Sequence, residues 1–382
     1  MEEEVVNLLM APLTLHLDQG SLRDGVFYEY PGLLGLTKVV GWDVPDELVD
    51  KYIPLEFLEG AEYNHIPNYI GKVKYSNKWY HLFHGYHHLL NNLPEKFKNW
   101  VLYEYNLEGG FYPYQIDDLM KLIIRSGAEA LEELRERGVS HGSVKERNIV
   151  FILNHAHRIS SVKLMGFTYN QHKSKWKQDF YDFGIVIKSL LGPYDNFPEA
   201  LDFVARFDGS HRNTKLMQAF KKDPRSVERH LICWIAEKGL SFLIRLADWM
   251  DGYRSKSLDK VNYKMSYSDH MLYDAIQQID TVDWKRGLPA YIMKTLPYTE
   301  FNSSEEFLKF GRNHHLHSAS DPGAFQKFFK VTPEGYYKVF KAQNPEFMMD
   351  CYNAVEEFFE GDSGVVEPEW FDHFLISPSH LW

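Results

Sequence analysis

The period of the apolar positions changes along the chain. Over residues 1–100, stretches such as GVFYEY (25–30), LTKVVGW (36–42) and KWYHLFH (78–84) alternate and are rich in β-branched and aromatic residues, which predicts half-buried strands. Between them DELVDKYIPLEFLEGAEY (46–63) has helical spacing. Residues 101–235 read as helical, with a strand pair at 148–153 and 160–165. From 236 to 360 the apolar residues recur with the helical period, in LSFLIRLADWM, LPAYIMKTL, EEFLKFGRN and PEFMMDCYNAVEEFF, so this part is expected to be almost entirely helical. Residues 361–382 lose any period. They combine Gly, Pro and acids with Trp370, Phe374 and Trp382, an extended tail with three aromatic docking candidates.

Composition narrows the classes. A chain of 382 residues, 44% hydrophobic and 25% charged, has the make-up of an ordinary globular protein. No run approaches the roughly 18 apolar residues of a membrane span. The opening MEEEVVNLL is acidic, the opposite of a secretory leader. Two cysteines, Cys233 and Cys351, give no disulfide framework and point to a reducing compartment, the cytoplasm. A net charge of −11 argues against generic nucleic-acid affinity, DNA included. Any RNA contact has to rest on local basic residues. His81, His84, His87 and His88 invite a zinc reading, but no cysteine or acid completes a tetrahedral set nearby, so a solvated hairpin is expected and no metal.

The stretch SHGSVKERNIVF (140–151) has the outline of a phosphotransfer loop. With NHIPNYIG (64–71), LEELRERGVSHGSVKERNIVF (131–151), SVKLMGFTY (161–169) and DFYDFGIVIKSLL (179–191), it resembles a protein kinase in order and spacing. Phosphoryl transfer needs one carboxylate by the acceptor hydroxyl and another on Mg²⁺. Ser143 and Gly166 occupy those two positions. Neither supplies a carboxylate, and the segment from 169 to 178 is too short to seat a peptide substrate. Kinase activity is therefore expected to be absent. Lys38 and Glu56 are the candidates for the phosphate-holding pair, with Lys145 and Asn148 on the loop. Through them ATP or ADP would bind without transfer. The alternative is that Ser143, Lys145 and Asn148 only build a hydrogen-bonded turn.

RNA can be cut without a metal if a base takes the 2′-OH proton, an acid supplies the leaving 5′-oxygen and a cation meets the phosphorane charge. The run Arg312, Asn313, His314, His315, Leu316, His317 holds these residue types. On a continuous helix Asn313 and His317 share a face, with Arg312 beside them. Histidine is the side chain that exchanges protons near neutral pH, and arginine is a planar phosphate clamp. Such a reaction would leave a 2′,3′-cyclic phosphate and a 5′-hydroxyl. No cofactor is required for it.

The junction HLICWIAEKGLSFLIRLADWM (230–250), with Trp234, Glu237, Lys238, Leu240, Phe242 and Leu243, resembles the passage from kinase-like domain to nuclease in the ribonuclease L-like family. So do DW (283–284), EEFLKFGRNHHLH (305–317) and DPGAFQKFFKVTPEGYYKVFKAQNPEFMMDCYNAV (321–355). The resemblance implies an α+β bilobal kinase-like domain over 1–235, with a small lobe about 1–105 and a large lobe about 106–235. An all-α KEN ribonuclease domain over 236–360 and the tail 361–382 follow. It further implies catalytic roles for Arg312, Asn313 and His317, with Tyr298 as the family's upstream tyrosine and Tyr291 as its alternative. Glu306 takes the place of an acid that orients the arginine. His314 and His315 read as surface residues. The family works as a homodimer aligned by its kinase-like domains, so a homodimer cutting single-stranded or stem-loop RNA is expected. Neither an ankyrin array nor a membrane-anchored sensor is expected in the sequence. The competing reading is a non-catalytic regulator that pairs with an active relative; the joint presence of Arg312, Asn313 and His317 favours the enzyme.

Overall fold

The computed structural model describes residues 14–15, 25–32, 35–44, 64–75, 78–84, 87–105, 111–166, 173–192, 197–222, 225–258, 267–281, 284–285, 288, 303–316 and 332–361. The chain divides into two compact units, 1–98 with 122–187, and 99–121 with 188–382. The sequence boundary at 235/236 lies inside the second. The predicted helix 46–63, the stretch 289–296 and the tail beyond 361 lie outside the described residues.

In the first unit, β1 (Thr14–Leu15), β2 (Gly25–Gly32), β3 (Gly35–Val44), β4 (Tyr69–Tyr75) and β5 (Lys78–His84) form an antiparallel sheet in the order β1-β2-β3-β5-β4. The three alternating stretches of the sequence all fall on its strands. A second sheet joins β6 (His88–Leu89) to β9 (Ile149–Leu153) and β9 to β10 (Ile159–Leu164), within a residue of the predicted pair. Its core faces Val150, Phe151, Val162 and Leu164, all buried. Helices α1 (Asp118–Glu136) and α2 (Lys173–Leu191) supply the other apolar stripes, among them Ile123, Ile124, Ala128, Phe180 and Phe183. Gly127 lets them close up, because a Cβ there would overlap the Phe183 ring.

The loop 139–148 is fastened from within this unit. Asp179, buried on α2, accepts the backbone N–H groups of His141 and Gly142, both at 2.7 Å. Gly142 has φ 86°, a conformation open to glycine at little steric cost. The His141 Nε2–H donates to the Met165 carbonyl at 2.8 Å, and Trp176 Nε1–H donates to Val139 O at 2.9 Å. Burial lowers the His141 pKa to about 4 and raises that of Asp179 to about 6.

The second unit opens with an antiparallel hairpin, β7 (Val101–Tyr105) and β8 (Phe111–Ile116), where the period predicts helix. Aromatic-rich pairing outweighs the short helical spacing here. Pro113 is accommodated because it pairs with Tyr103 where the register shifts, the kind of irregularity that tolerates a missing N–H. The other regular elements among its described residues are mainly helices: α3 (Pro198–Asp208), α4 (Thr214–Lys222), α5 (Arg225–Arg229), α6 (Ala236–Leu258), α7 (Tyr267–Gln277), α8 (Ser304–Leu316), α9 (Pro333–Gln343) and α10 (Phe347–Gly361). Local chemistry sets the ends. Thr332 accepts the Gly335 N–H at 3.0 Å ahead of Pro333, so α9 starts where its free donors find a cap. Just before α6, Trp234 meets Phe242 edge-on and has the Lys238 ammonium 4.7 Å from its ring centre.

The apolar faces meet around Trp284, Phe307, Phe310, Phe340 and Phe347. The same unit also holds a charged core. The Arg206 guanidinium is wholly buried between Asp202 (2.7 Å), Glu356 (2.8 Å) and Asn353 (2.8 Å). Asp202 in turn meets His211 Nε2 and His230 Nε2, both at 2.9 Å, and accepts the Asn353 side-chain amide at 2.9 Å. These contacts join α3, the 211–213 loop, the 230 turn and α10. Burial would raise the Asp202 pKa, but bonds to the two imidazoles and the Arg206 charge outweigh it and hold it well below the carboxylate range. A second buried pair, Lys341 with Glu199, links α9 to α3.

Arg206→Ala should cost about 3–5 kcal/mol in chemical denaturation, because it strands buried carboxylates. With its folded-state pKa depressed, Asp202 contributes stability that is present above about pH 4 and is lost as the pH falls further. Asp202→Asn should therefore be less stable at neutral pH and show a shallower loss on acidification. Gly311→Ala should cost roughly 1–3 kcal/mol by overpacking, since a Cβ there would overlap the Phe340 ring; thermal denaturation checks it.

Candidate active site

Helix α8 carries two stripes. Phe307, Leu308, Phe310 and Gly311 face the aromatic core. Glu305, Lys309 and Arg312, at i, i+4 and i+7, form the other stripe. The partner stripe lies on α6, where Asp248, Asp251 and Arg254 recur every three residues. The two interleave into a continuous alternation of charge. Arg254 Nη1 lies 3.1 Å from Glu305 Oε1, and Glu305 Oε1 lies 2.6 Å from Lys309 Nζ. Lys309 Nζ lies 2.8 Å from Asp251 Oδ1, Asp251 Oδ2 pairs with Arg312 Nη1, and that nitrogen lies 3.1 Å from Asp248 Oδ1. Tyr273 Oη (3.3 Å) and Gln277 Nε2 (3.0 Å) from α7 also donate to Glu305.

The ladder keeps its members charged. Burial disfavours the Asp251 carboxylate, but bonds from Lys309 and Arg312 prevail and lower its pKa. Glu305 is lowered in the same way, against its burial, mainly by Lys309 and Arg254. Lys309 and Arg312 are raised by the reciprocal bonds despite partial burial. Strong, short charge-assisted bonds explain why the guanidinium sits in one place.

Arg312 and Asn313 are brought together: Arg312 Nε–H donates to Asn313 Oδ1 at 3.3 Å. His314 and His315 fall in the last turn of α8. His317, Tyr298 and Tyr291 lie outside the described residues. Glu306 does not reach the guanidinium. Its N–H donates to Ser303 Oγ at 3.3 Å, one carboxylate oxygen is buried without a hydrogen bond among the described residues, and burial raises its pKa. The carboxylates that do reach Arg312 are Asp248 and Asp251, which sequence reasoning missed. Their spacing of one helical turn opposite a Lys309/Arg312 stripe was the available signal.

In the first unit Ser143 and Lys145 are exposed, while Asn148 is buried and its Oδ1 accepts the Lys145 N–H at 2.9 Å. Gly166 has φ 79°. Lys38 lies on β3 opposite Glu29, and Glu56 lies outside the described residues. His87 Nδ1 accepts the Leu153 N–H at 2.9 Å. Among the described residues no group of His, Cys, Asp and Glu is placed to hold a metal ion, and no helix is long and apolar enough to cross a membrane.

Comparison with curated proteins returns no match to the chain. Residues 239–366 match the family model described as Ribonuclease 2-5A. That stretch contains α7, α8, α9, α10, all but the first turn of α6, and both acids and cations of the ladder, which ties the site to a ribonuclease-related function. Residues 239–366 are thus similar to the ribonuclease 2-5A family, and this supports a ribonuclease L-like origin for that segment.

Proposed function

We propose that the protein is a metal-independent endoribonuclease whose cutting residues are Arg312, Asn313 and His317, assisted by Tyr298. The single observation that carries the reading is the juxtaposition of Arg312 and Asn313 on α8, within the stretch matching the ribonuclease family. Arg312 meets the phosphorane charge, Asn313 orients the phosphate or ribose, and His317 moves the proton between the 2′-OH and the leaving 5′-oxygen. The products are 2′,3′-cyclic phosphate and 5′-OH ends. The substrate is single-stranded or stem-loop RNA, recognised locally, since the whole chain carries −11.

In this reading the first unit is a kinase-like domain that transfers no phosphate. The fastening of the 141–142 backbone to the buried Asp179, and of His141 to the residue before Gly166, supports a kinase-like frame. Ser143 and Gly166 leave it without either carboxylate that phosphoryl transfer needs. Its role is to align two copies of the chain, with ATP or ADP as the nucleotide it would hold. The dimer contact then gates cleavage by mass action, in the cytoplasm.

Purified protein incubated with end-labelled hairpin RNA in EDTA should give fragments ending in 2′,3′-cyclic phosphate, and His317→Ala should remove them while leaving the sedimentation of the protein unchanged. Cleavage that appears only with Mg²⁺, or a His317→Ala rate equal to wild type, rules the mechanism out. Specific activity should fall on dilution through the dimer dissociation range; a rate per molecule independent of concentration rules out gating by dimerisation.

A further inference from the structure

Arg312 has two carboxylate partners that the proposed chemistry does not consume. Its Nη1 faces Asp248 and Asp251, and its Nε faces Asn313. Nη2, with two donors, makes no hydrogen bond among the described residues, and the side chain is 15% exposed. A guanidinium held at one corner by two anions presents its remaining edge in a fixed direction. Asp251 is itself fixed, because its second oxygen binds Lys309 at 2.8 Å, and Lys309 is held by Glu305 at 2.6 Å. Behind the helix, Gly311 lies against the Phe340 ring, which holds the backbone of α8 close to α9 on that side.

We infer that Asp251, backed by Lys309 and assisted by Asp248, is a positioning residue that sets the direction in which Arg312 presents its open edge to the scissile phosphate. The inference rests on the ribonuclease reading of the same site. It carries a sign that a purely structural role lacks. A carboxylate beside a phosphate-binding cation repels the ligand in the ground state while it fixes geometry for the transition state. Neutralising it should leave RNA binding unchanged or tighter and make turnover slower, an effect on kcat without a rise in Kd.

The test compares wild type, Asp251→Asn, Asp251→Glu, Asp248→Asn, Arg312→Ala and the double variant Asp251→Asn/Arg312→Ala. The readouts are kcat on hairpin RNA and Kd for the same hairpin with every 2′-OH replaced by fluorine, which cannot be cleaved. Asp251→Asn should lower kcat by roughly 10- to 100-fold, the scale of a small misplacement, with Kd equal to or below wild type. Asp251→Glu should recover part of the rate. In the Arg312→Ala background the Asp251 change should have no further effect, because the two act as one unit. Wild-type turnover in Asp251→Asn overturns the inference, as do losses that multiply in the double variant or a raised Kd. Should Asp251→Asn not fold, Asp248→Asn carries the same test: this carboxylate is 59% exposed, and an unchanged kcat there overturns the inference. If Arg312→Ala cleaves like wild type, the ribonuclease reading itself falls. If Arg312→Ala is inactive and Asp251→Asn is not impaired, only the positioning role falls.

Discussion

The second unit depends on a charge that cannot be left alone. A guanidinium removed from water is tolerated only when anions and hydrogen-bond acceptors close around it, and those around Arg206 come from separate segments of the chain. Asp202 lies one turn away on the same helix, while Asn353 and Glu356 lie far along the sequence on α10. His211 and His230 reach the same carboxylate from two connecting segments. Completing the shell therefore fixes α3 against α10 and pins the turn that leads into α6. The aromatic cluster then works on helices whose ends are already constrained. Apolar packing sets how closely the helices approach, and the buried charges set which groups must meet.

Much of this was legible in the sequence. The strands β2, β3, β5, β9 and β10 and the helices α6, α8 and α10 lie where period and composition predict them, because each carries a period long enough to register. The 179–191 stretch picked out in the sequence opens on Asp179, which is buried within α2. The hairpin 101–116 was not read from the sequence, since its strands of five and six residues are too short to show a clear period. The ladder was out of reach for a different reason. A helical period tells which residues share a face, but not what that face meets: Asp251 and Arg312 are separated by 61 positions. The choice between Glu305 and Glu306 shows the same limit. Successive residues on a helix point about 100° apart, so Glu305 lies in the ladder while Glu306 turns away, and a spacing rule cannot distinguish them without the opposite helix.

The loop at 139–148 keeps its shape by bonds that involve no side chain of residue 143 or 166. Asp179 holds backbone amides, His141 holds a backbone carbonyl, and Asn148 closes its own turn. A frame built this way does not depend on which side chain stands at either position. The geometry of such a loop and its chemistry are thus separable, and only the geometry is required for packing.

The charge ladder between α6 and α8 matches three cations with three carboxylates. Opposite charges only a few ångströms apart cancel at a distance, and salt shortens the residual field to about 8–10 Å. The ladder itself therefore adds little to the field that a distant polyanion feels. The second nitrogen of Arg312 makes itself felt only at touching range, where shape does the selecting.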